Sequence, residues 1–170
     1  SLSIGVGEDN PDLTPVVSKS QQQQILKMID SAREEGACIL TGGSAPDLDG
    51  YFVSPTIIEA SHEMSITQQE VFGPVLVIMP FDEEEQAIEM ANGTEFGLVA
   101  GVFGEGLSQT LRVANKLVAG QIFINEWFAG GVETPFGGVG LSGFGREKGQ
   151  EAIYSYVQTR NIGIRLRHNK

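Results

Sequence analysis

VLVIMPFDEEEQAIEMANGTEFGLVAGVF, residues 75–103, decides the fold. Val75 to Met79 is a continuous apolar run, the pattern of a strand buried on both faces. Asp82 with Glu85 then has the spacing that caps a helix, which runs through Ala87, Ile88 and Ala91 and stops at Gly93. Leu98 to Phe103 is apolar again and reads as a second strand. Two strands joined by a helix of about ten residues form a crossover unit, the building block of a parallel sheet.

The same alternation extends in both directions. Upstream, Ser18 and Gln21 have capping-box spacing, and Ile25, Met28, Ile29 and Ala32 fall on one helical face that Gly36 ends. Ala37 to Leu40 is a short apolar strand closed by Gly42-Gly43. Tyr51 to Ile58 is extended but interrupted by Pro55, which assigns it to an edge or a bend. Downstream, Ser108 opens a helix bearing Leu111, Ala114, Leu117 and Val118, stopped by Gly120, and Gln121 to Ile124 is a strand. The fold class is α/β: an open, largely parallel sheet with crossover helices.

Beyond it the pattern changes. Gly130 to Gly145 holds seven glycines, too many for a regular element, so it is a structured loop. Glu147 to Tyr156 reads as a helix with Ala152, Ile153 and Tyr156 on one face. Ile162, Ile164 and Leu166 then alternate with Gly163, Arg165 and Arg167, the signature of a half-buried strand. No repeat or linker marks a further domain.

Composition narrows the function classes. The 170 residues carry 11 Lys plus Arg against 22 Asp plus Glu, a net charge of -11. Nucleic acid and anionic membrane both require a basic face, so neither is expected as a partner. No apolar run approaches the roughly 20 residues of a membrane span. No signal peptide is visible, and because the first residue is not Met the chain reads as a fragment. The single cysteine, Cys38, excludes an internal disulfide and fits a reducing, cytoplasmic setting. His62 and His168 stand alone and nothing has metal-ligand spacing, so no metal is expected.

Three ordered segments carry a family resemblance. Gln69-Glu70-Val71-Phe72-Gly73-Pro74-Val75 is similar to the Glu-x-Phe-Gly-Pro motif of the NAD(P)-dependent aldehyde dehydrogenases. Pro135-Phe136-Gly137-Gly138 with Ser142-Gly143-Phe144-Gly145-Arg146-Glu147 resembles that family's glycine-rich signature. Gly50 to Thr56 resembles a third stretch, and the likeness runs along essentially the whole chain. Residues 1–157 would then be the C-terminal portion of the catalytic domain, and 158–170 an oligomerisation strand and tail.

The resemblance implies an oxidoreductase that converts an aldehyde to a carboxylic acid with NAD or NADP. Glu70 would hold the nicotinamide ribose and Phe72 would limit where the nicotinamide sits. Ribose hydroxyls are good donors to a carboxylate, and a flat ring packs on an aromatic, so the residue types suit the task. Read without the family, Glu70 is a solvated loop residue and Phe72 a core anchor. Glu126, Trp127, Phe128 and Phe136 fall where the family lines its substrate tunnel, and aromatics there suit aliphatic, aryl or cationic aldehydes. Asn125 reads as satisfying backbone groups. Ile162, Ile164 and Leu166 would complete a sheet with a neighbouring subunit, in a homodimer or homotetramer.

Gly138 to Gly143 also fits G-x-G-x-x-G, but no strand directly precedes it and no acidic residue follows about 20 positions later, so it is not a dinucleotide fingerprint. Gly140 stands where the family often has Lys, after Val139 where it often has Tyr. The larger departure concerns catalysis. The family works through a cysteine thiohemiacetal and thioester. Cys38 lies in Glu35-Gly36-Ala37-Cys38-Ile39-Leu40, without the family's Gly-Gln-x-Cys context, and reads as a buried core residue. No catalytic residue is expected in this chain, and the fragment alone is expected to be inactive. Two alternatives stay open: a stand-alone, non-catalytic interaction module of the same fold, or a superfamily member that reduces acyl phosphates.

Overall fold

The computed structural model describes residues 2–166. They form two compact units, parted between Gly93 and Thr94.

In the first unit, helix α1 (Lys19–Glu34) organises the core. Ser18 is its N-cap, with Oγ accepting from the Gln21 N–H at 3.2 Å. Ile25, Ile29 and Ala32 are fully buried against Val53, Ile58, Ala60 and Ile66. A buried Ile contributes roughly 1.5–3 kcal/mol, so this one face accounts for most of the helix's hold. At the other end Gly36, at φ 99, lets its own N–H reach Arg33 O while Ala37 N–H reaches Ala32 O. That pair of bonds is a Schellman closure, and the positive φ is why glycine occupies the position. Glu35 at this end accepts from the Ser65 hydroxyl and N–H, which hold its carboxyl below the usual range.

Strands β1 (Cys38–Thr41), β2 (Thr56–Glu59) and β3 (Val75–Ile78) form one sheet in that order. β1 runs antiparallel to β2, with a register shift between Ile39 and Thr41; β2 and β3 are parallel, Thr56 facing Val75. Two expectations change here. The strand after Pro55 is the middle one of the sheet rather than an edge, because the proline lies just before it and no ladder bond is lost. β3 is not buried on both faces: Leu76 is 58% exposed and Ile78 40%. Among the described residues it is hydrogen-bonded on one side only.

Helix α2 (Glu84–Asn92) begins one residue later than the Asp82 cap implied, with Glu83 at the N-cap. Gln86 instead reaches back, its Oε1 accepting from Asp82 N at 2.9 Å. Ile88 is the buried residue of this helix.

The second unit contains β4 (Phe96–Gly97), β5 (Val99–Val102), helix α3 (Leu107–Ala114), β6 (Gln121–Ile124) and β7 (Val139–Gly140). β5 and β6 are parallel, joined through α3; β4 pairs antiparallel with β7. The class is α/β, with parallel and antiparallel pairs divided among three small sheets. α3 ends before Leu117 and Val118, because the Asn115 side-chain amide caps Leu111 O at 2.8 Å. Residues 150–155 form a 3₁₀ turn rather than a longer helix, with Ile153 58% and Tyr156 89% exposed. Residues 157–166 form no strand and are exposed. Among the described residues the alternating pattern there has no partner strand, and a ladder cannot form with one member.

Candidate functional site

The loop before β3 is built to display a phenylalanine. Phe72 sits at φ 52, in the left-handed region that bulky residues rarely adopt, and its side chain is 75% exposed. Its neighbours are pinned. Gln21 on α1 sends Nε2 to Val71 O at 3.4 Å and to Phe72 O at 3.2 Å. The Gly73 backbone lies against Ile25, where a Cβ would come within 2.5 Å of Cδ1. Pro74 O accepts from Thr56 N at 2.9 Å and starts the β2–β3 pairing. Val71 packs on the core while Glu70, on the near side, is exposed. Strained backbone held by surrounding contacts is a mark of functional loops. Gln21 was legible only as part of a cap; its side chain spans to a loop 50 residues away.

The second group lies at the end of β6. Asn125, at φ 55, turns the chain out of the sheet, and Phe128 repeats a left-handed turn at φ 57. The Trp127 and Phe128 rings meet edge-on with centroids 5.5 Å apart, and Phe123 touches them at 6.2 and 6.0 Å. Phe123 is the buried root of this cluster, whereas Trp127 and Phe128 are 54% and 59% exposed. Glu126, between them and Asn125, is exposed too. Aromatic faces beside a carboxylate can attract a cation or cover an apolar chain. Sequence reasoning singled out Trp127 and Phe128 but not Phe123, whose inward position on the strand is its only signal. Asn125 does bond backbone groups, those of Gly104.

Phe136 is not part of that ring cluster. It is half-buried, exchanges two 2.7 Å backbone bonds with Glu147, and has Lys148 Nζ 5.7 Å from its ring centroid. It lines a cavity with Leu98, Phe144, Arg146 and Tyr156. Arg146 fastens the glycine loop by donating to Gly138 O at 2.9 Å and Gly145 O at 2.6 Å. Residues 138–143 comprise β7 and a turn, with Gly143 N bonded to Gly140 O; no helix N-terminus follows, so a phosphate-binding turn is absent there.

Cys38 is exposed, which corrects the expectation of a core residue. β1 shows the alternation of an outer strand, with Ile39 turned inward and Cys38 outward. Cys38 and His62 line one cleft, and His62 is half-buried against Gly93; His168 lies outside the described residues. Among the described residues no group of three or more His, Cys, Asp or Glu is placed to hold a metal ion. No helix among them is long and apolar enough to cross a membrane.

Comparison with known proteins bears on these positions together. The family model described as "Aldehyde dehydrogenase family" matches residues 1–162. The betaine aldehyde dehydrogenase of Vibrio vulnificus is 44% identical over 89% of this chain and 32% of its own length. The 4-trimethylaminobutyraldehyde dehydrogenase A of Danio rerio is 38% identical over 96% of this chain and 34% of its own. The solved betaine aldehyde dehydrogenase of Staphylococcus aureus in complex with NAD+ matches with a TM-score of 0.88 at 38% identity, covering 91% of this chain and 32% of that one. The chain thus spans about a third of the length of the relatives it matches. With a matching family model over nearly all of its residues, the chain belongs to the aldehyde dehydrogenase family.

Proposed function

We propose that this chain works as the C-terminal part of an NAD(P)-dependent enzyme that oxidises an aldehyde to a carboxylic acid, with the cysteine nucleophile supplied from outside residues 1–170. The observation that carries the reading is Phe72, held solvent-facing at φ 52 by a clamped loop, two residues from an exposed carboxylate. Those two side chains fit the nicotinamide half of a dinucleotide: Glu70 accepts from ribose hydroxyls, and the Phe72 ring limits where the nicotinamide rests. NAD(P), when bound, supplies the hydride acceptor. The S. aureus relative solved with NAD+ supports the choice of cofactor class.

In the full-length enzyme, Glu70→Gln removes one charge-assisted bond, worth about 1.5–3 kcal/mol, or roughly 10- to 100-fold in cofactor KM or turnover. Phe72→Gly separates site from scaffold. The left-handed strain it relieves and the unfolded-chain entropy that glycine adds are each about 1 kcal/mol, so the melting temperature is expected to stay near the parent's while cofactor KM worsens. Unchanged steady-state constants in both variants would return Glu70 and Phe72 to ordinary loop residues.

For the substrate, we propose a quaternary ammonium aldehyde facing Glu126, Trp127 and Phe128. The support is chemical: two exposed aromatic faces beside a carboxylate, in a chain whose relatives are named for betaine aldehyde and 4-trimethylaminobutyraldehyde. Phe136, outside the ring cluster and with a lysine over its ring, is proposed to line the tunnel at a point where a cation is not favoured. The expected discrimination is a kcat/KM for betaine aldehyde about tenfold above that of its neutral carbon isostere, 3,3-dimethylbutanal. Equal values for the two aldehydes would remove the cation from the proposal.

The residues 158–170 are proposed to pair with a neighbouring subunit. Ile162, Ile164 and Leu166 are 72%, 78% and 81% exposed, three large apolar side chains left in water close together in sequence. In a homo-oligomer a partner strand covers them. Ile164→Asp in the full-length enzyme is expected to shift the protein to smaller oligomers, and an unchanged light-scattering mass at low micromolar concentration refutes the role.

A further inference from the structure

We infer that Asn125 is a positioning residue: its side-chain amide takes the place of the next rung of the β5–β6 ladder and so sets where Trp127 and Phe128 leave the sheet. The inference rests on the reading of Glu126 to Phe128 as substrate wall. In a parallel pair, alternate residues of one strand donate to and accept from the residues that flank their partner. β5 and β6 keep that pattern as far as the Asn125 N–H, which donates to Val102 O at 2.9 Å. The next residue due two such bonds is Gly104. A continued strand would supply them from the backbones of Asn125 and Trp127.

The chain does something else. Asn125 turns to φ 55, and its side chain folds back onto the position its backbone has left. Oδ1 accepts from Gly104 N at 2.7 Å and Nδ2 donates to Gly104 O at 2.7 Å. One planar amide thus stands in for a backbone acceptor and a backbone donor at once. Residues 126–128 are released from the sheet, yet their point of departure stays tied to the β5 side. Trp127 then comes to lie over Gly101 of β5, where a Cβ would meet the indole within 2.8 Å.

The residue type is demanding. Aspartate offers the acceptor without the donor. Alanine offers neither and resists the left-handed backbone. Glycine adopts that backbone freely but has no amide. Asparagine combines tolerance of positive φ with both halves of a peptide group.

In the full-length enzyme the informative variants are Asn125→Gly and Asn125→Asp, set beside Trp127→Ala. Asn125→Gly is expected to raise aldehyde KM about tenfold, with kcat within about twofold of the parent and cofactor KM unchanged. Hydrogen exchange in the peptide carrying Gly104 is expected to speed up in the same variant. Asn125→Asp, which keeps the acceptor, is expected to fall between parent and Asn125→Gly in both readouts. If Trp127→Ala raises aldehyde KM while Asn125→Gly and Asn125→Asp match the parent in KM and in Gly104 exchange, the positioning role is overturned and the substrate wall stands. If Trp127→Ala leaves KM unchanged, the wall reading fails, and Gly104 exchange decides alone: faster exchange in Asn125→Gly supports the amide rung, parent-like exchange overturns it.

Discussion

Given aldehyde and NAD+, the 170-residue chain is expected to form no NADH above background, and Cys38→Ser is expected to leave that result unchanged. Family chemistry needs a thiolate attacking the carbonyl and a base to activate water. Cys38 is exposed on β1, and no hydrogen bond to a basic side chain is found for it among the described residues. Exposure makes a thiol available to reagents; it does not align it with a bound aldehyde or provide oxyanion donors. Enzymes of this kind lower barriers by at least about 8 kcal/mol, and an unaligned thiol supplies little of that. NADH formation that disappears in Cys38→Ser would overturn both the reading of Cys38 and the proposal of an external nucleophile.

The second large effect is structural. Gly120→Ala is expected to destabilise the unit beginning at Thr94 by more than about 3 kcal/mol, lowering the melting temperature by roughly 10 °C. A Cβ at Gly120 would fall 1.6 Å from Gly137 O and 2.7 Å from Gly137 C, both backbone atoms. Gly120 cannot retreat without cost, because its N–H donates to Gly97 O at 3.0 Å at the start of β6's approach to the sheet. Gly143→Ala is the control. It meets nothing within 4 Å and suffers only from its φ of 102. Its expected cost is about 1 kcal/mol. Thermal or urea unfolding distinguishes them, and equal stability of the two variants would mean that the Gly120–Gly137 approach does not constrain the fold.

What could be read from the residues follows the range of the forces involved. Ser18, the Ile25–Ile29–Ala32 stripe and Gly36 specified α1 and both its ends, because caps and amphipathic faces act within a few residues. Gln121 to Ile124 was equally plain, as a largely apolar run directly after the turn signal Gly120. Neighbours in a sheet are a different matter. Nothing near Thr56 states that β2 will lie between β1 and β3, or that Cys38 will face outward, since those depend on pairing with distant strands. Tyr156 and Ile153 have helical spacing, yet both are exposed and the segment is a 3₁₀ turn. Ile162 to Leu166 forms no strand because none of the described residues pairs with it. Glu70 and Phe72 were singled out by motif, but the left-handed backbone of Phe72 was not legible, because an aromatic residue is the wrong type to suggest it. The amide of Asn125 was expected on backbone groups; which ones required the β5–β6 pairing.

The half-uncovered strand β3 carries a colloidal consequence. Val75 to Met79 is five uncharged residues of high β-propensity with one open edge, the composition that recruits like segments into aggregates. The residues around it act as gatekeepers. Pro74 and Pro80 bracket the run, and neither can donate to an added strand. Asp82 to Glu85 then places four consecutive acids just beyond, so that two chains meeting edge to edge would bring eight negative charges into register or near it. Salt screens that repulsion within about 8 Å at physiological strength and within about 3 Å at 1 M. By this reasoning the acidic run is expected to favour solubility in dilute buffer over solutions in which charges are screened or protonated.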